Sequence, residues 1–198
     1  MPESKSYEDG FDEIIVISDL REKNISTAAT SMEIINSEVI ERRKAQHIDT
    51  LLNTVANVNF ASGASRGRFV HIRGLGERSQ FVEPINPSVG VLLDGIDISG
   101  TNGAALTLDL DRIEILRGPQ GTINGANALA GLINLKSNRP EAINSGKLKI
   151  GFGKYEARTI DGSYSIPISE TSKFRIAMGR TLNNGFMSND FLDRDNTN

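Results

Sequence analysis

The sequence predicts an α+β chain, a region of short strands and short helices followed by antiparallel β-strands. Three observations carry this. Ile48, Leu51, Leu52 and Val55 fall at i, i+3, i+4 and i+7, the apolar stripe of an amphipathic helix. "SVGVLLDGIDI" sets two apolar runs on either side of Asp94 and Gly95, a dipeptide that supplies positive φ for a two-residue hairpin turn. Beyond Ser145, apolar and polar residues alternate with period two through three successive segments.

Taken in order, the opening residues to Asp12 are polar, and "EIIVIS" then reads as a short β-branched strand. In "SMEIINSEVIERRK" an apolar run meets Asn36 and Ser37, both N-cap residue types, and predicts a helix through Glu41. The helix carrying the Ile48 stripe follows, with Asp49 at its start. "FASGASRGR" reads as a small-residue loop, "FVHIRG" as a strand and "LGERSQFVEPINP" as a long polar loop ended by Pro87; long loops in compact domains are often functional. After the hairpin come the strands "DRIEIL" and "GLINLKS", separated by a stretch of Gly, Ala, Asn, Thr and Pro, and then "NRPEAINS", a linker that Pro140 interrupts. Leu148, Ile150 and Phe152 alternate with Lys147, Lys149 and Gly151. Ile160, Tyr164, Ile166 and Ile168 alternate with Thr159, Asp161, Ser163 and Ser165, and Phe174, Ile176, Met178 and Leu182 with Lys173, Arg175, Ala177 and Gly179. Strands of about ten residues with two unlike faces suit a transmembrane β-barrel, and equally one face of a soluble antiparallel sheet. Three strands close no barrel, so the membrane reading expects the chain to be incomplete.

Composition removes several classes. The net charge of -3 is small and the basic residues are scattered, which gives no electrostatic reason to expect nucleic acid. Cysteine is absent, so disulfides and thiolate metal sites are excluded. "MPESKSYEDG" has neither the basic start nor the apolar core of a secretory signal, and no apolar run reaches the length of about 18 residues that a membrane helix needs.

Motifs for chemistry fail on context. "GASRG" fits G-x-S-x-G, but Ser65 is followed by Arg-Gly-Arg and a strand where a nucleophile elbow requires a helix, and no Asp-then-His follows. "GLGERS" has Ser79 in place of a third glycine, and Pro84 and Pro87 disfavour the helix a dinucleotide site needs. His47 and His71 are not at helical metal-ligand spacing, and Asp94, Asp97, Asp109 and Asp111 sit at turns and strand ends, where capping explains them. We read no catalytic residue, metal site or cofactor in this chain, and the protein as a non-enzyme.

The segments "DEIIVIS", "IDTLLNTVANVNF", "VHIRGLG", "PSVGVLLDGIDI" and "RIEILRGPQGTINGANALAGLINLKSNRP", followed by barrel-like strands, resemble in that order the plug of TonB-dependent outer-membrane receptors. The resemblance implies a small mixed-sheet plug domain, residues 19–140, after an N-terminal extension, 1–18, and before the first three strands of a truncated barrel, 146–198. It implies energy-coupled import of a scarce ligand, a ferric siderophore foremost or cobalamin, across the bacterial outer membrane, with the TonB periplasmic domain as partner. A stand-alone plug-like module that binds or signals without transport is the alternative.

By the same resemblance, Asp12, Glu13, Ile14, Ile15, Val16, Ile17 and Ser18 correspond to a TonB box that would add as a strand to a TonB sheet, or else to the first plug strand. Arg73, Glu114 and Arg117 match residues that latch the plug to wall charges, which here would lie beyond residue 198. Outward plug loops contact ligand in the family, which makes Arg66, Arg78, Gln80, Thr101 and Asn102 the contact candidates. A plug inside a barrel of about 22 strands must pass its turns close to the wall and to one another, which is the implied reason for Gly118, Gly121, Gly125, Ala128, Ala130 and Gly131. The family also carries a signal peptide and a full barrel absent from this sequence, so the expectation is a fragment, a split gene or a damaged one.

Overall fold

The computed structural model describes residues 15–18, 21–24, 31–62, 67–77, 87–99, 107–120, 127–184, 188–189 and 194–195. Strand β1, Ile15–Ser18, pairs antiparallel with β2, Arg21–Asn24. Strand β3, Ser31–Asn36, leads into helix α1, Ser37–Arg43. Asn36 is its N-cap: the side-chain oxygen accepts the Val39 N–H at 3.0 Å, which satisfies a donor the first turn leaves open. Glu38 in the first turn and Arg42 and Arg43 in the last match the helix dipole, and the helix ends on Lys44 in the left-handed region. It runs two residues past the expected end at Glu41.

Helix α2 is short, Ile48–Leu52, and stops before Val55. Val55 stays on the apolar stripe because its N–H bonds to the Leu52 carbonyl, which continues the turn, and all four stripe residues are buried. The N-cap is His47, which makes no side-chain cap bond; Asp49 accepts the neighbouring Thr50 N–H within the first turn. Strands β4, Val58–Ser62, and β5, Gly67–Ile72, form an antiparallel pair. The expected loop from Phe60 therefore begins as strand: Phe60 and Ala61 pair with Val70 and Phe69, a partner that local composition does not announce.

Strands β6, Val89–Leu93, and β7, Ile96–Asp97, flank Asp94 and Gly95, whose φ values of 50° and 89° make the expected two-residue turn. Strands β8, Leu110–Arg117, and β9, Gly131–Ser137, complete a five-stranded sheet in the order β3-β8-β9-β6-β7. The β6 and β9 strands run parallel and the other pairs antiparallel, so the sheet is mixed. Its core lies on one face, where Ile35, Val91, Ile113, Ile115, Ile133 and Leu135 meet Ile40, Ile48, Leu51 and Leu52 of the two helices. A smaller cluster of Leu116, Ala128 and Leu132 covers part of the other face. Both faces of β8 and β9 are thus buried, which explains their near-continuous apolar runs.

Residues 138–144 form the expected linker, and then β10, Ser145–Phe152, β11, Arg158–Pro167, and β12, Lys173–Leu182, form an antiparallel sheet in chain order. One further short antiparallel pair follows, β13, Ser188–Asn189, with β14, Arg194–Asp195.

Gly131 opens β9 where backbones crowd. A Cβ there would lie 2.5 Å from the Leu116 carbonyl oxygen and 2.6 Å from Ile72 Cδ1. The carbonyl cannot swing aside without disturbing the β8–β9 ladder, so Gly131→Ala should lower folding stability by about 1–3 kcal/mol. Urea denaturation of the variant against the native sequence checks this, and equal midpoints would contradict the close approach.

Candidate functional site

The mixed sheet carries a buried charge at its centre. Glu114 is fully buried in β8, where strand period two places it on the face of Arg112 and opposite Asn134 of β9. Its Oε1 accepts from Arg112 Nε at 2.8 Å and its Oε2 from Asn134 Nδ2 at 2.8 Å. Arg112 also reaches Asp111 at 2.7 Å. Burial opposes the Arg112 charge, but Glu114 and Asp111 outweigh it and hold its pKa above the ordinary arginine value. Arg117 takes the opposite face of β8 and pairs with Glu33 of β3. Arg73 is exposed, in a two-residue turn with Gly74 at φ 54° and 80°, closed by reciprocal bonds between Ile72 and Leu75. No bond joins Arg73, Glu114 and Arg117 to one another among the described residues.

A second set of charges joins this domain to the strands that follow. Arg175 of β12 grips Asp109 in a two-bond fork, Nε to Oδ2 and a terminal nitrogen to Oδ1, both at 2.6 Å. The same guanidinium donates to Ser165 Oγ at 2.8 Å and Ser163 Oγ at 2.9 Å on β11, and Glu141 stands 3.9 Å away. Asp109 in turn holds the start of the linker, since its carbonyl accepts from the Asn138 N–H at 2.9 Å. Lys147 and Lys149 of β10 both reach Glu41 near the end of α1. Their hydrogen bonds hold the Glu41 carboxyl below its ordinary pKa against a smaller opposing effect of burial.

The faces of β10 to β12 are therefore assigned. Lys147, Lys149, Ser163, Ser165 and Arg175 turn toward the α+β domain, and Ser165 is fully buried. The apolar set of the alternation is exposed, with Phe152 at 81%, Leu148 and Met178 at 67% and Ile150 at 62% relative exposure. A soluble sheet would bury that face and wet the other; this one does the reverse.

Gly118 has φ 115°, a glycine conformation, and no atom within 4 Å of where a Cβ would stand; Ala128 is buried at φ 72° and Ala130 is buried. Asp12, Glu13, Ile14, Ser65, Arg66, Arg78, Gln80, Thr101, Asn102, Gly121 and Gly125 lie outside the described residues. Sequence reasoning gave Asp109 to turn capping and assigned no role to Glu41 or Arg175. The period-two alternation marked Arg175 as polar-facing, but its partner is 66 residues away and no local pattern points there.

Residues 24–132 match the family model described as the TonB-dependent receptor plug domain. This chain belongs to that family. It is 23% identical over 179 residues to the vitamin B12 transporter BtuB of Vibrio cholerae, covering 87% of this chain and 28% of that protein. It is 24% identical over 178 residues to the pesticin receptor of Yersinia pestis, covering 89% and 26%. Among solved structures, the ferric yersiniabactin uptake receptor FyuA of Yersinia pestis superposes with a TM-score of 0.74 at 22% identity, over 85% of this chain and 27% of that one. The ferric-catecholate import receptor Fiu of E. coli superposes at 0.68 and 20% identity, over 85% and 23%. The chain thus spans about a quarter of the length of the relatives it matches. These likenesses give the plug and the strands after it one shared fold.

Two outcomes are expected of the plug–strand junction. Asp109→Ala strips the partner from a guanidinium only 12% exposed and should cost about 2–5 kcal/mol in urea unfolding of the chain in detergent; a loss below about 0.5 kcal/mol would mean that the fork is solvated. Glu41 has its folded pKa depressed, so its contribution is present above the unfolded carboxyl value and is lost as pH falls through the folded one. The melting difference between the native sequence and Glu41→Gln should therefore shrink on acidification, and a difference constant with pH would contradict the pairing.

Proposed function

We propose that this chain is the gate and lever of a TonB-dependent outer-membrane receptor that imports a scarce ligand, a ferric siderophore, with energy delivered by TonB. The observation that carries the reading is the polarity of β10 to β12: ionic and polar groups face the plug, and a large apolar surface, interrupted by Arg158 and Arg180, faces away. That is the arrangement of a wall whose outside meets lipid and whose inside holds a polar filling. Strands of eight to ten residues fit the length needed to cross a bilayer at a tilt.

A siderophore is the preferred cargo because the ferric yersiniabactin uptake receptor and the ferric-catecholate import receptor share this fold. Cobalamin is the competitor, from the vitamin B12 transporter. The lever is residues 12–18: β1 lies in a two-stranded sheet, which leaves it one edge unpaired among the described strands for a TonB strand to join. Arg66, Arg78, Gln80, Thr101 and Asn102 serve as ligand contacts in this reading. Arg73, the exposed member of its trio, reaches a wall carboxylate, while Glu114 and Arg117 hold the sheet that Arg73 flanks.

The test uses cells carrying a complete receptor that begins with this sequence. Deleting residues 12–18 should reduce uptake of radioactive ferric yersiniabactin to background while binding at the cell surface persists, and dissipating the proton gradient should do the same. Undiminished uptake after either treatment would overturn the lever, and binding without uptake by the undeleted receptor would mark a binding module instead.

A further inference from the structure

The outward face of β10 to β12 is apolar except at one end. Across the sheet, Ile150, Ile160 and Arg180 stand in one row, and Phe152, Arg158 and Leu182 in the next. These are the last two rows before the turn of residues 153–157 that joins β10 to β11. Strand period two keeps both arginines on the side of the exposed Ile150 and Ile160, away from the plug. Both are exposed, and among the described residues neither has a hydrogen bond or an ion pair.

The cations on the two faces of this sheet have different surroundings. Lys147, Lys149 and Arg175 on the plug side each meet a carboxylate, from Glu41 or Asp109. Arg158 and Arg180 have no such neighbour. Asp161, the one carboxylate within the three strands, lies on the plug side, where its strand partners are Lys149 and Gly179. Glu156 in the adjoining turn is exposed and pairs with neither arginine. At the opposite end of the outward face, the row of Ile166 and Phe174 carries no charge. Basic character is therefore confined to one edge of an apolar band.

A guanidinium on a lipid-facing wall is costly at the bilayer centre and tolerated at its edge, where the long side chain reaches the headgroups. Leu182 is the direct partner of Arg158, so Arg180, two residues back along β12, is its diagonal neighbour, about 7–8 Å away between Cβ atoms. Side chains of this length can converge across that gap on one acceptor. The planar fork of a guanidinium matches the oxygens of a phosphate.

We propose that Arg158 and Arg180 together bind the phosphate-bearing headgroup of an anionic membrane lipid, which fixes the height of this wall in one leaflet. The inference rests on the reading of β10 to β12 as a lipid-facing wall and is independent of the imported ligand. Both guanidiniums donate to the phosphate, and the acyl chains of the same lipid lie along Leu148 and Met178, the next row inward.

The experiment uses the complete receptor that begins with this sequence, labelled with bimane at Leu148→Cys and reconstituted in phosphatidylcholine vesicles. A minor fraction of the lipid is phosphatidylglycerol or phosphatidylcholine carrying a doxyl quencher on the acyl chain. With both arginines present, labelled phosphatidylglycerol should associate about tenfold more strongly than labelled phosphatidylcholine. Arg158→Gln with Arg180→Gln should bring the two lipids within about twofold, while Lys173→Gln, an exposed cation on the plug side of β12, should leave the preference intact. Equal quenching by the two lipids, a preference kept in the double variant, or one lost equally in Lys173→Gln would overturn the site and leave the wall reading standing. Loss of the preference to inorganic phosphate, beyond the effect of chloride at the same ionic strength, would assign the arginines to a free anion and overturn the lipid as occupant. Absence of quenching by either lipid would overturn the wall reading and the site together.

Discussion

The grip of Arg175 on Asp109 is the interaction on which the rest of this architecture turns. Asp109 sits at φ 54° at the entrance of β8 and holds the linker through Asn138, so it stands where the central plug strand, the linker and the following sheet meet. A guanidinium this enclosed is tolerable only with its donors used, and Asp109, Ser163 and Ser165 use them. Satisfying it turns the polar face of β10 to β12 toward the plug, and the pleat then sends every large apolar side chain of those strands the other way.

The plug itself balances a conventional core against an unconventional second face. Two short helices pack on one side of the mixed sheet through isoleucine, leucine and valine. The other side carries Glu114, Arg112 and Asn134 beside only a small apolar cluster. A carboxylate at that position contributes less to stability than a leucine would, since its desolvation offsets most of its pairing. What it provides is register: only one alignment of β8 and β9 sets Glu114 opposite Asn134.

The small-residue stretch before β9 takes its meaning from several distinct demands. Gly131 has no room for a side chain, Gly118 has room but a backbone conformation that favours glycine, and Ala128 and Ala130 offer backbone N–H groups to neighbouring carbonyls at close range. Composition shows that the stretch is small; it does not separate crowding from dihedral angle, because both select the same residue.

What the sequence by itself determined is local. The Asn36 cap, the stripe from Ile48 to Val55, the Asp94–Gly95 turn, the strands β8 and β9 and the alternation of β10 to β12 follow from period, cap and turn chemistry within a few residues, and ordered motifs carried the family. Tertiary structure alone decided which face of the alternating strands turns toward the plug, that Phe60 and Ala61 belong to a strand, and that Asp109 and Glu41 pair with cations far along the chain. The reason is physical. A period reports that two faces differ but not what lies against each, and a carboxylate at a turn reads the same whether it caps its neighbour or reaches an arginine 66 residues on.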